Sequence, residues 1–398
     1  MGYIRPSEIV VCEIWCRGFE HVEFNAALLC AIGLAFPQAN LLFLSEPEHG
    51  DMVRQRLQDV TDVSITYGRI AVPNRELSAL RQFLTEIRAC WRGICPTRGG
   101  PARALVFTSL KGGSLLAVKA LMYSFGTSVL TLGIIHGELS NLLVTPPRRP
   151  WNRALSLRSA LQWPNPRWLR LLVLGDSIKN EVVKLMPSRY DAWRAVELVC
   201  LSPDDLPKIH RNLSAERPIR FGFLGASSKG FEKFCYVAQT IKSEFANCEF
   251  EMVGFLGRNK PPENALKYVT GISEAPLAPK EYRRRLAGLT YCLGLDNPEH
   301  HRLAGSGTFI DSLSYAIPYI ALRNSYLDYY FQVLGDVGYL CDNVHDMCAC
   351  IRRILTEPPN ERYTQQQANS AKGRSIFAPQ QVAVKLKKIL SETAESRL

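Results

Sequence analysis

Short apolar runs alternate with longer segments of helical spacing along most of the chain. The first two runs are "EIVVCEIW" and "ANLLFLSE"; between them, "VEFNAALLCAIGLAF" places Phe24, Leu28 and Ile32 on one helical face before Pro37 ends the helix. This strand-helix-strand order is typical of parallel strands joined by helices. The alternation continues to "LRLLVLG", which we expect to be the last strand of the first half.

A second alternating series follows a polar, Pro-rich stretch without periodicity. Its strands are "IRFGFLG", "EFEMVGF", "TYCLGLD", "PYIAL" and "GYLCD", and the chain closes with the helical "PQQVAVKLKKILSETAE". We predict an α/β fold of two doubly wound, Rossmann-like domains in tandem, with a cleft between them. The predicted parts are an acceptor-binding domain at 1–205, a linker at 206–217, a nucleotide-sugar-binding domain at 218–375 and a C-terminal helix at 376–398.

Composition narrows the class of protein. With 398 residues, 46% apolar and 21% charged, the chain can bury two ordinary cores. Its twelve cysteines are scattered and lack the paired spacing of a zinc site, so we expect reduced thiols and no metal. Neither a secretory leader nor an apolar stretch of about 18 residues is visible, which predicts a cytoplasmic protein.

The net charge of +11 fits nucleic acid, an anionic membrane or phosphorylated substrates. No nucleic-acid reading module is visible, so we expect no nucleic-acid partner. Segment 148–170 mixes arginines with tryptophans, which suits an anionic membrane surface but also an ordinary exposed helix with buried tryptophans. These residues are Arg148, Arg149, Trp151, Arg153, Arg158, Trp163, Arg167, Trp168 and Arg170.

The turn in "RFGFLGASSKGFEKF" is the first candidate site. An apolar strand ends in Gly225, small residues including Ser227 follow, and Lys229 and Gly230 open a helix. Backbone N–H groups at such a helix start approach an anion closely, and Lys229 adds a charge suited to phosphate. The alternative is a plain turn with a solvent-facing lysine, and the motif is neither GxGxxG nor a P-loop.

The second candidate is "RLAGSGTFIDSLSYAIPYIAL". With Ser306 at the helix start, steps of about 100° per residue place Phe309 and Leu313 towards the core. Asp311 then points away, flanked by Thr308 and Tyr315. The small residues suit a phosphate and the carboxylate suits a ribose diol, although a lone surface Asp would explain it too. The predicted site consists of Ser306, Gly307, Thr308 and Asp311.

The stretch from about Pro218 to Asp342 resembles the donor-binding domain of GT-B glycosyltransferases. The likeness rests on the "GFLG...KG" turn, the "MVG" strand end, and an acidic helix after a Gly/Ser-rich turn. Asp311 stands seven residues before Pro318, where the family's acidic residue binds the nucleotide ribose. Lys229 matches the family's basic diphosphate ligand.

The resemblance implies transfer of a sugar from a UDP- or GDP-linked donor to a glycan or polyprenyl-linked acceptor. It implies cell-surface polysaccharide synthesis and peripheral attachment to the inner face of the membrane. The absence of an Asp-x-Asp motif at a strand end predicts metal independence and no cofactor. A sugar-nucleotide 2-epimerase of the same fold, or a non-catalytic scaffold that binds a glycan, lipid or protein partner, stays open.

Two departures from the family pattern affect these expectations. Leu303 stands where many retaining members carry a Glu, and Ala316 replaces the usual Gly, so the stereochemical outcome stays open. In the neighbouring "NPEHHRLAG" loop, Arg302 and the two histidines before it are candidates for diphosphate or sugar contacts, or simply form a polar loop.

Catalytic candidates lie in the first half. His21 is in the loop after the first strand, near Glu20 and Glu23, while His136 and Glu138 follow the apolar strand in "GIIHGELSN". A His or carboxylate there could take the proton of an acceptor hydroxyl. A structural role for a lone His is the alternative.

Overall fold

The structure is a computed structural model that describes residues 6–58, 60, 63–95, 103–126, 129–145, 147–187, 192–201, 218–228, 230–257, 263–358 and 360–395. The chain divides into two compact units. The first comprises Met1–Leu201, Leu303–Gly305 and Ile376–Leu398, and the second Ser202–Arg302 and Ser306–Ser375. The predicted linker 206–217 and Lys229 lie outside the described residues.

The described residues of the first unit form a seven-stranded sheet in the order β3-β2-β1-β4-β5-β6-β7, in which every pairing is parallel. The strands are β1 (Glu8–Cys12), β2 (Asn40–Ser45), β3 (Ile65–Arg69), β4 (Arg103–Phe107), β5 (Leu130–Ile134), β6 (Leu169–Leu174) and β7 (Trp193–Val196). The helices between them are α1 (Val22–Ala35), α2 (Pro47–Gln58), α3 (Ala79–Ile94), α4 (Gly112–Ser124), α5 (Pro150–Ala154), α6 (Leu157–Gln162) and α7 (Asp176–Leu185).

The second unit has a five-stranded parallel sheet among its described residues, in the order β12-β11-β10-β8-β9. Its strands are β8 (Ile219–Ala226), β9 (Cys248–Phe255), β10 (Tyr291–Gly294), β11 (Tyr319–Leu322) and β12 (Gly338–Cys341). Its helices are α8 (Phe231–Lys242), α9 (Glu263–Leu266), α10 (Pro279–Leu286), α11 (Gly307–Ser314), α12 (Ser325–Leu334), α13 (Val344–Thr356) and α14 (Asn360–Gly373). The last helix, α15 (Pro379–Glu395), belongs to the first unit.

The predicted class, two α/β domains with parallel sheets, is confirmed. The expectation that "LRLLVLG" forms the last strand of the first half is wrong, because β7 follows it at the sheet edge. The sequence of β7, "WRAV", has four residues with a charge among them, too short for a recognisable apolar run.

Both faces of the first sheet are covered, as parallel sheets require. Residues Ile9 to Cys12 of β1 are fully buried, and α1 packs against α15 on one side. Lys385 of α15 donates to buried Glu197 next to β7, with 2.9 Å between Nζ and Oε1. The last helix therefore closes the core of the unit in which the chain begins.

Lys119 of α4 is fully buried and fixes the end of α6. Its Nζ donates to the carbonyl oxygens of Ala160 and Trp163, each at 2.8 Å. Because Lys119→Met would leave these carbonyls without that donor, we expect it to lower the free energy of unfolding of the first unit by about 1–3 kcal/mol. Chemical denaturation measures this, with the exposed Lys184→Met as control; equal midpoints for both variants would contradict the capping role.

Three further facts bear on function. No helix formed by the described residues is long and apolar enough to cross a membrane. All twelve cysteines are free thiols. Within the described ranges, no group of three or more His, Cys, Asp or Glu side chains is arranged to hold a metal ion.

Candidate functional site

The predicted donor-binding residues of the second unit lie beyond the carboxyl ends of β8 and β10, which are neighbouring strands. Gly225 is the last residue but one of β8 and has φ +89°, a conformation that residues with side chains rarely adopt. A Cβ built on Gly225 would lie 3.9 Å from Cγ2 of Thr308. The turn after β8 and the start of α11, predicted separately, therefore meet.

Ser227 ties the first turn to the adjacent strand. Its Oγ accepts from the N–H of Gly257 (2.8 Å), and its own N–H donates to the carbonyl of Phe255 at the end of β9 (3.1 Å). Gly230 directly precedes α8 and touches the backbone of Leu295 so closely that a Cβ would collide with its carbonyl oxygen. Ser227 is therefore tied to the end of β9, and Gly230 packs against Leu295.

The start of α11 is where the sequence predicts it. Ser306 caps the helix by accepting from the N–H of Phe309 (3.3 Å). Its Oγ lies 3.1 Å from Oγ1 of Thr308, which lies 3.0 Å from the hydroxyl of Tyr319. Space around Gly307 is open. The positive end of the helix dipole and a chain of hydroxyl groups meet here.

Asp311 is held by a partner that the sequence analysis missed. Oδ2 of Asp311 accepts from the hydroxyl of Tyr282 on α10 at 2.7 Å. Burial, followed by the charge of Asp311, holds the pKa of Tyr282 well above its usual range, so Tyr282 stays a donor. No spacing rule connects two residues on different helices 29 positions apart.

The expected surroundings of Asp311 need one correction. Asp311 is partly exposed, but Tyr315, expected beside it on the outer face, is only 7% exposed. The reason is that α14 also packs against α11, so the helix is covered on more than its sheet side.

The loop before α11 is internally paired. Nε2 of His301 lies 2.9 Å from Oδ2 of Asp296, and His301 is buried. A guanidinium nitrogen of Arg302 lies 3.9 Å from a carboxylate oxygen of Glu299. Leu303, at the position where many family members carry a Glu, is 1% exposed. The side chain of His300 lies outside the described residues.

Two of the three predicted catalytic residues meet in the first unit. The rings of His21, after β1, and His136, after β5, are 4.8 Å apart between centroids. Burial, and then the neighbouring His21, lowers the pKa of His136 to about 4. Its Nδ1 is buried and has no hydrogen-bond partner among the described residues. His136 is therefore neutral at pH 7 and a weak base.

A buried carboxylate, Glu13, acts electrostatically on His136 and belongs to the run "EIVVCEIW" that was predicted to be a strand. Glu13 is fully buried and accepts five hydrogen bonds at 2.7–3.2 Å. The donors are the N–H groups of Trp15 and Cys16, the amide of Asn25, and the hydroxyls of Thr108 and Ser109. Although burial opposes ionisation, these bonds lower the pKa of Glu13 to about 2.

Glu138, the third predicted residue, lines a cavity of about 430 Å³ within the first unit. One of its carboxylate oxygens lies 3.6 Å from Nζ of Lys111, and the other accepts from the amide of Asn141 at 2.7 Å. Lys111 also lies over the ring of Trp15, 3.6 Å from its centroid. Glu20 and Glu23 instead form ion pairs with Arg75 and Arg56.

The same cavity is also lined by Glu86, the acidic residue of α3. It is 4% exposed, and burial raises its pKa to about 8, with Lys111 opposing the shift and Glu138 adding to it. A Cβ at Gly113 would collide with the Glu86 carboxyl group, so a larger residue at the start of α4 would displace this side chain. Glu86 is therefore mostly protonated, and neutral, at pH 7.

The sequence contains one pattern that indicates this cavity. In "TSLKGGS", Lys111 directly precedes α4 and Gly112 and Gly113 are its first two residues, a pattern like that around Lys229 and Gly230. The two Gly residues let the helix start approach other segments closely. Nothing in the sequence indicated that Glu86 lines a cavity, because it is a single acidic residue in a helical pattern.

No protein-family model matches this sequence, and no curated protein is similar to it in sequence. Solved structures are similar in fold. A sucrose-phosphate synthase from Thermosynechococcus elongatus is 13% identical with a TM-score of 0.66, covering 98% of this chain and 100% of that one. A glycosyltransferase from Rickettsia africae ESF-5 is 12% identical with a TM-score of 0.65, covering 98% and 99%.

An α,α-trehalose 6-phosphate synthase from Burkholderia multivorans is 6% identical with a TM-score of 0.65, covering 99% of this chain and 98% of that one. Structures of GT-B glycosyltransferases thus match along nearly the whole chain. The chain has the GT-B fold, as the resemblance of its second half implied.

Proposed function

We propose that this protein is a glycosyltransferase that moves a sugar from a UDP- or GDP-linked donor to a glycan or lipid-linked acceptor. The observation that carries the proposal is the meeting of the Gly225 turn with the start of α11 at Thr308, with Asp311 one turn further along that helix. The fold shared with enzymes named as synthases and glycosyltransferases supports it.

In this proposal the second unit binds the donor. The starts of α8 and α11 stabilise the developing negative charge of the departing nucleoside diphosphate through their helix dipoles, and Lys229 is assigned to the same diphosphate. Asp311 accepts hydrogen bonds from the ribose hydroxyls, and the hydroxyl of Tyr282 orients its carboxylate. Arg302 is assigned to the diphosphate or the sugar. No metal or cofactor takes part, so transfer should persist in EDTA.

The first unit binds the acceptor in the cavity lined by Glu138, Lys111 and Glu86. A cavity whose apolar lining also carries two carboxyl groups, a lysine and side-chain amides suits the hydroxyl groups and ring faces of a sugar. The acceptor oxygen bonds to the anomeric carbon and gives its proton to Glu138, while the nucleoside diphosphate leaves with the electron pair of the broken bond. Of the three catalytic candidates, Glu138 is the one that lines this cavity.

Nucleotide binding tests the donor half. We expect UDP or GDP to raise the melting temperature of the protein, and Asp311→Ala to weaken that nucleotide's binding at least about tenfold, because a hydrogen-bonded charge is lost. Isothermal titration calorimetry measures this, with Asp328→Ala on α12 as control. Asp311→Asn, which can still accept from Tyr282, separates ribose binding from support of the fold.

Equal nucleotide affinity for wild type and Asp311→Ala would contradict the ribose assignment. Failure of every sugar nucleotide to bind would favour the non-catalytic scaffold instead. Conversion of the donor to an epimer without any acceptor would identify a 2-epimerase.

A further inference from the structure

The cavity beside Glu138 contains a buried acid to which proton transfer assigns no task. Glu86 is 4% exposed, and its carboxyl group lies against the start of α4, where a Cβ on Gly113 would collide with it. Among the described residues this carboxyl group forms no ion pair, and its hydrogen-bonding neighbour is the indole of Trp15. Burial without an ion pair favours the neutral acid. Glu86 thus brings an O–H donor to the lining of the cavity.

The start of α4 brings this donor and an arginine to one cavity. Gly112 and Gly113 are the first residues of α4, and both line the cavity. Because Gly112 has no side chain, the backbone of residues 155–157 packs directly on it; a Cβ there would collide with the carbonyl oxygen of Leu155. Arg158 follows this backbone segment and lines the same cavity. The positive end of the α4 dipole, the neutral Glu86 and Arg158 therefore border one space.

The charges of the cavity lining leave one cation unbalanced. Two of its three basic side chains face carboxylates, with N–O distances of 2.7 Å for Arg75 and Glu20 and 3.6 Å for Lys111 and Glu138. The third, Arg158, has no carboxylate partner within the described ranges, and one of its guanidinium nitrogens donates to the carbonyl oxygen of Leu142 at 2.6 Å. One unbalanced positive charge matches a monoanion, whereas a phosphate group carries about 1.5–2 negative charges.

We infer that the sugar held in this cavity carries a carboxylate, as a uronic acid does, and that Arg158 and Glu86 recognise it. Calling this sugar the acceptor rests on the proposed function. Arg158 forms a charge-assisted hydrogen bond with the carboxylate, the start of α4 stabilises its charge, and the O–H group of Glu86 donates to it. An ionised Glu86 would repel the same carboxylate, so the neutral acid is required. A cavity of about 430 Å³ has room for a monosaccharide.

Titration calorimetry of the full chain tests this recognition. The probes are the methyl glycosides of glucuronic, galacturonic and mannuronic acid, each compared with the methyl glycoside of its neutral hexose. We expect at least one uronoside to bind at least about tenfold more tightly than its neutral counterpart at pH 7, because a hydrogen-bonded charge pair is gained. Arg158→Gln should abolish this difference. Arg153→Gln, which changes an exposed arginine outside the cavity lining, should preserve it.

The pH dependence of binding separates recognition by Glu86 from a structural role. Its pKa is about 8; the charges that act on it are Lys111 and Glu138, and the thiol of Cys90 lies beside it. Because the ionised form repels the ligand, the affinity of wild type for the uronoside should fall about tenfold between pH 7 and about pH 9. Glu86→Gln keeps an N–H donor and cannot ionise, so we expect an affinity within about threefold of wild type at pH 7 and no such fall.

Three results would overturn the inference: equal binding of every uronoside and its neutral counterpart, a preference that survives Arg158→Gln, or a pH-dependent fall that Glu86→Gln shares. Tighter binding of methyl glucoside 6-phosphate than of any uronoside would also overturn it and assign the cavity to a phosphorylated sugar. Melting temperatures verify that each variant is folded. None of these measurements uses a sugar donor. Binding of UDP or GDP without any uronoside preference would contradict carboxylate recognition alone, whereas uronoside binding without binding of any sugar nucleotide would contradict only the transferase function.

Discussion

Replacing Glu13 by glutamine is expected to lower the melting temperature of the first unit by about 6–12 °C at pH 7. This corresponds to a loss of about 3 kcal/mol in a unit of this size. The carboxylate accepts five hydrogen bonds in a fully buried position. A glutamine has one acceptor oxygen, so its NH₂ group would face donors that then lack a partner.

Acid provides an independent test of Glu13. Its folded pKa of about 2 lies below the ordinary value of 4.5, so its contribution is present above about pH 4.5 and is lost as the pH falls towards 2. The difference in stability between wild type and Glu13→Gln should therefore shrink over that range. Thermal unfolding at several pH values measures it, with exposed Glu76→Gln as control. A gap that is independent of pH would show that the charged form is not what these donors stabilise.

The network around Glu13 also bears on the proposed site. It joins the loop after β1 to Thr108 and Ser109 after β4 and, through Asn25, to α1. His21 immediately precedes α1, and its ring contacts that of His136. Loss of Glu13 should therefore disturb the positions of both histidines as well as lower stability.

Replacing Glu138 by glutamine is expected to lower kcat for sugar transfer by about 10²–10³-fold while KM changes little. The amide keeps the size of the side chain and can still meet the acceptor, but it cannot take a proton. Initial rates with a saturating donor measure this, once an acceptor is known.

Glu86→Gln is the matched comparison within the same cavity. The pKa of Glu86 is about 8, so at pH 7 the substitution replaces one neutral group by another. We expect transfer to fall less than about tenfold, well short of the effect at Glu138. Comparable losses in the two variants, or a raised KM alone at Glu138, would assign Glu138 to acceptor binding and contradict its role as base.

Local signals account for the parts of the fold that could be predicted. Apolar runs in alternation with helical spacing identified β1, β8 and their neighbours because each strand of a parallel sheet is buried on both faces. Ser306 marked the start of α11 because a side-chain cap and the apolar spacing after it lie within a few residues of chain. The strand β7 was not predicted because "WRAV" is too short to show a hydrophobic periodicity.

In the candidate site, too, the residues that could be predicted are those whose signal is local in the chain. Gly225, Ser306 and Asp311 stood out because glycine, capping and carboxylate positions are readable one segment at a time. Tyr282, Glu13 and Glu86 were missed because their roles depend on partners far away in the chain.

The sequence by itself determined the α/β class, the order of most strands and helices, and the positions of the two turns that we propose bind phosphate and ribose. Only the tertiary structure decided that these turns meet beyond β8 and β10, and that Asp311 shares its carboxylate with Tyr282. It also decided that Glu13 is charged while Glu86 is neutral at pH 7. The physical reason is that burial and hydrogen-bond donors from distant segments set the pKa of a carboxyl group, and neither can be read from its neighbours in the chain.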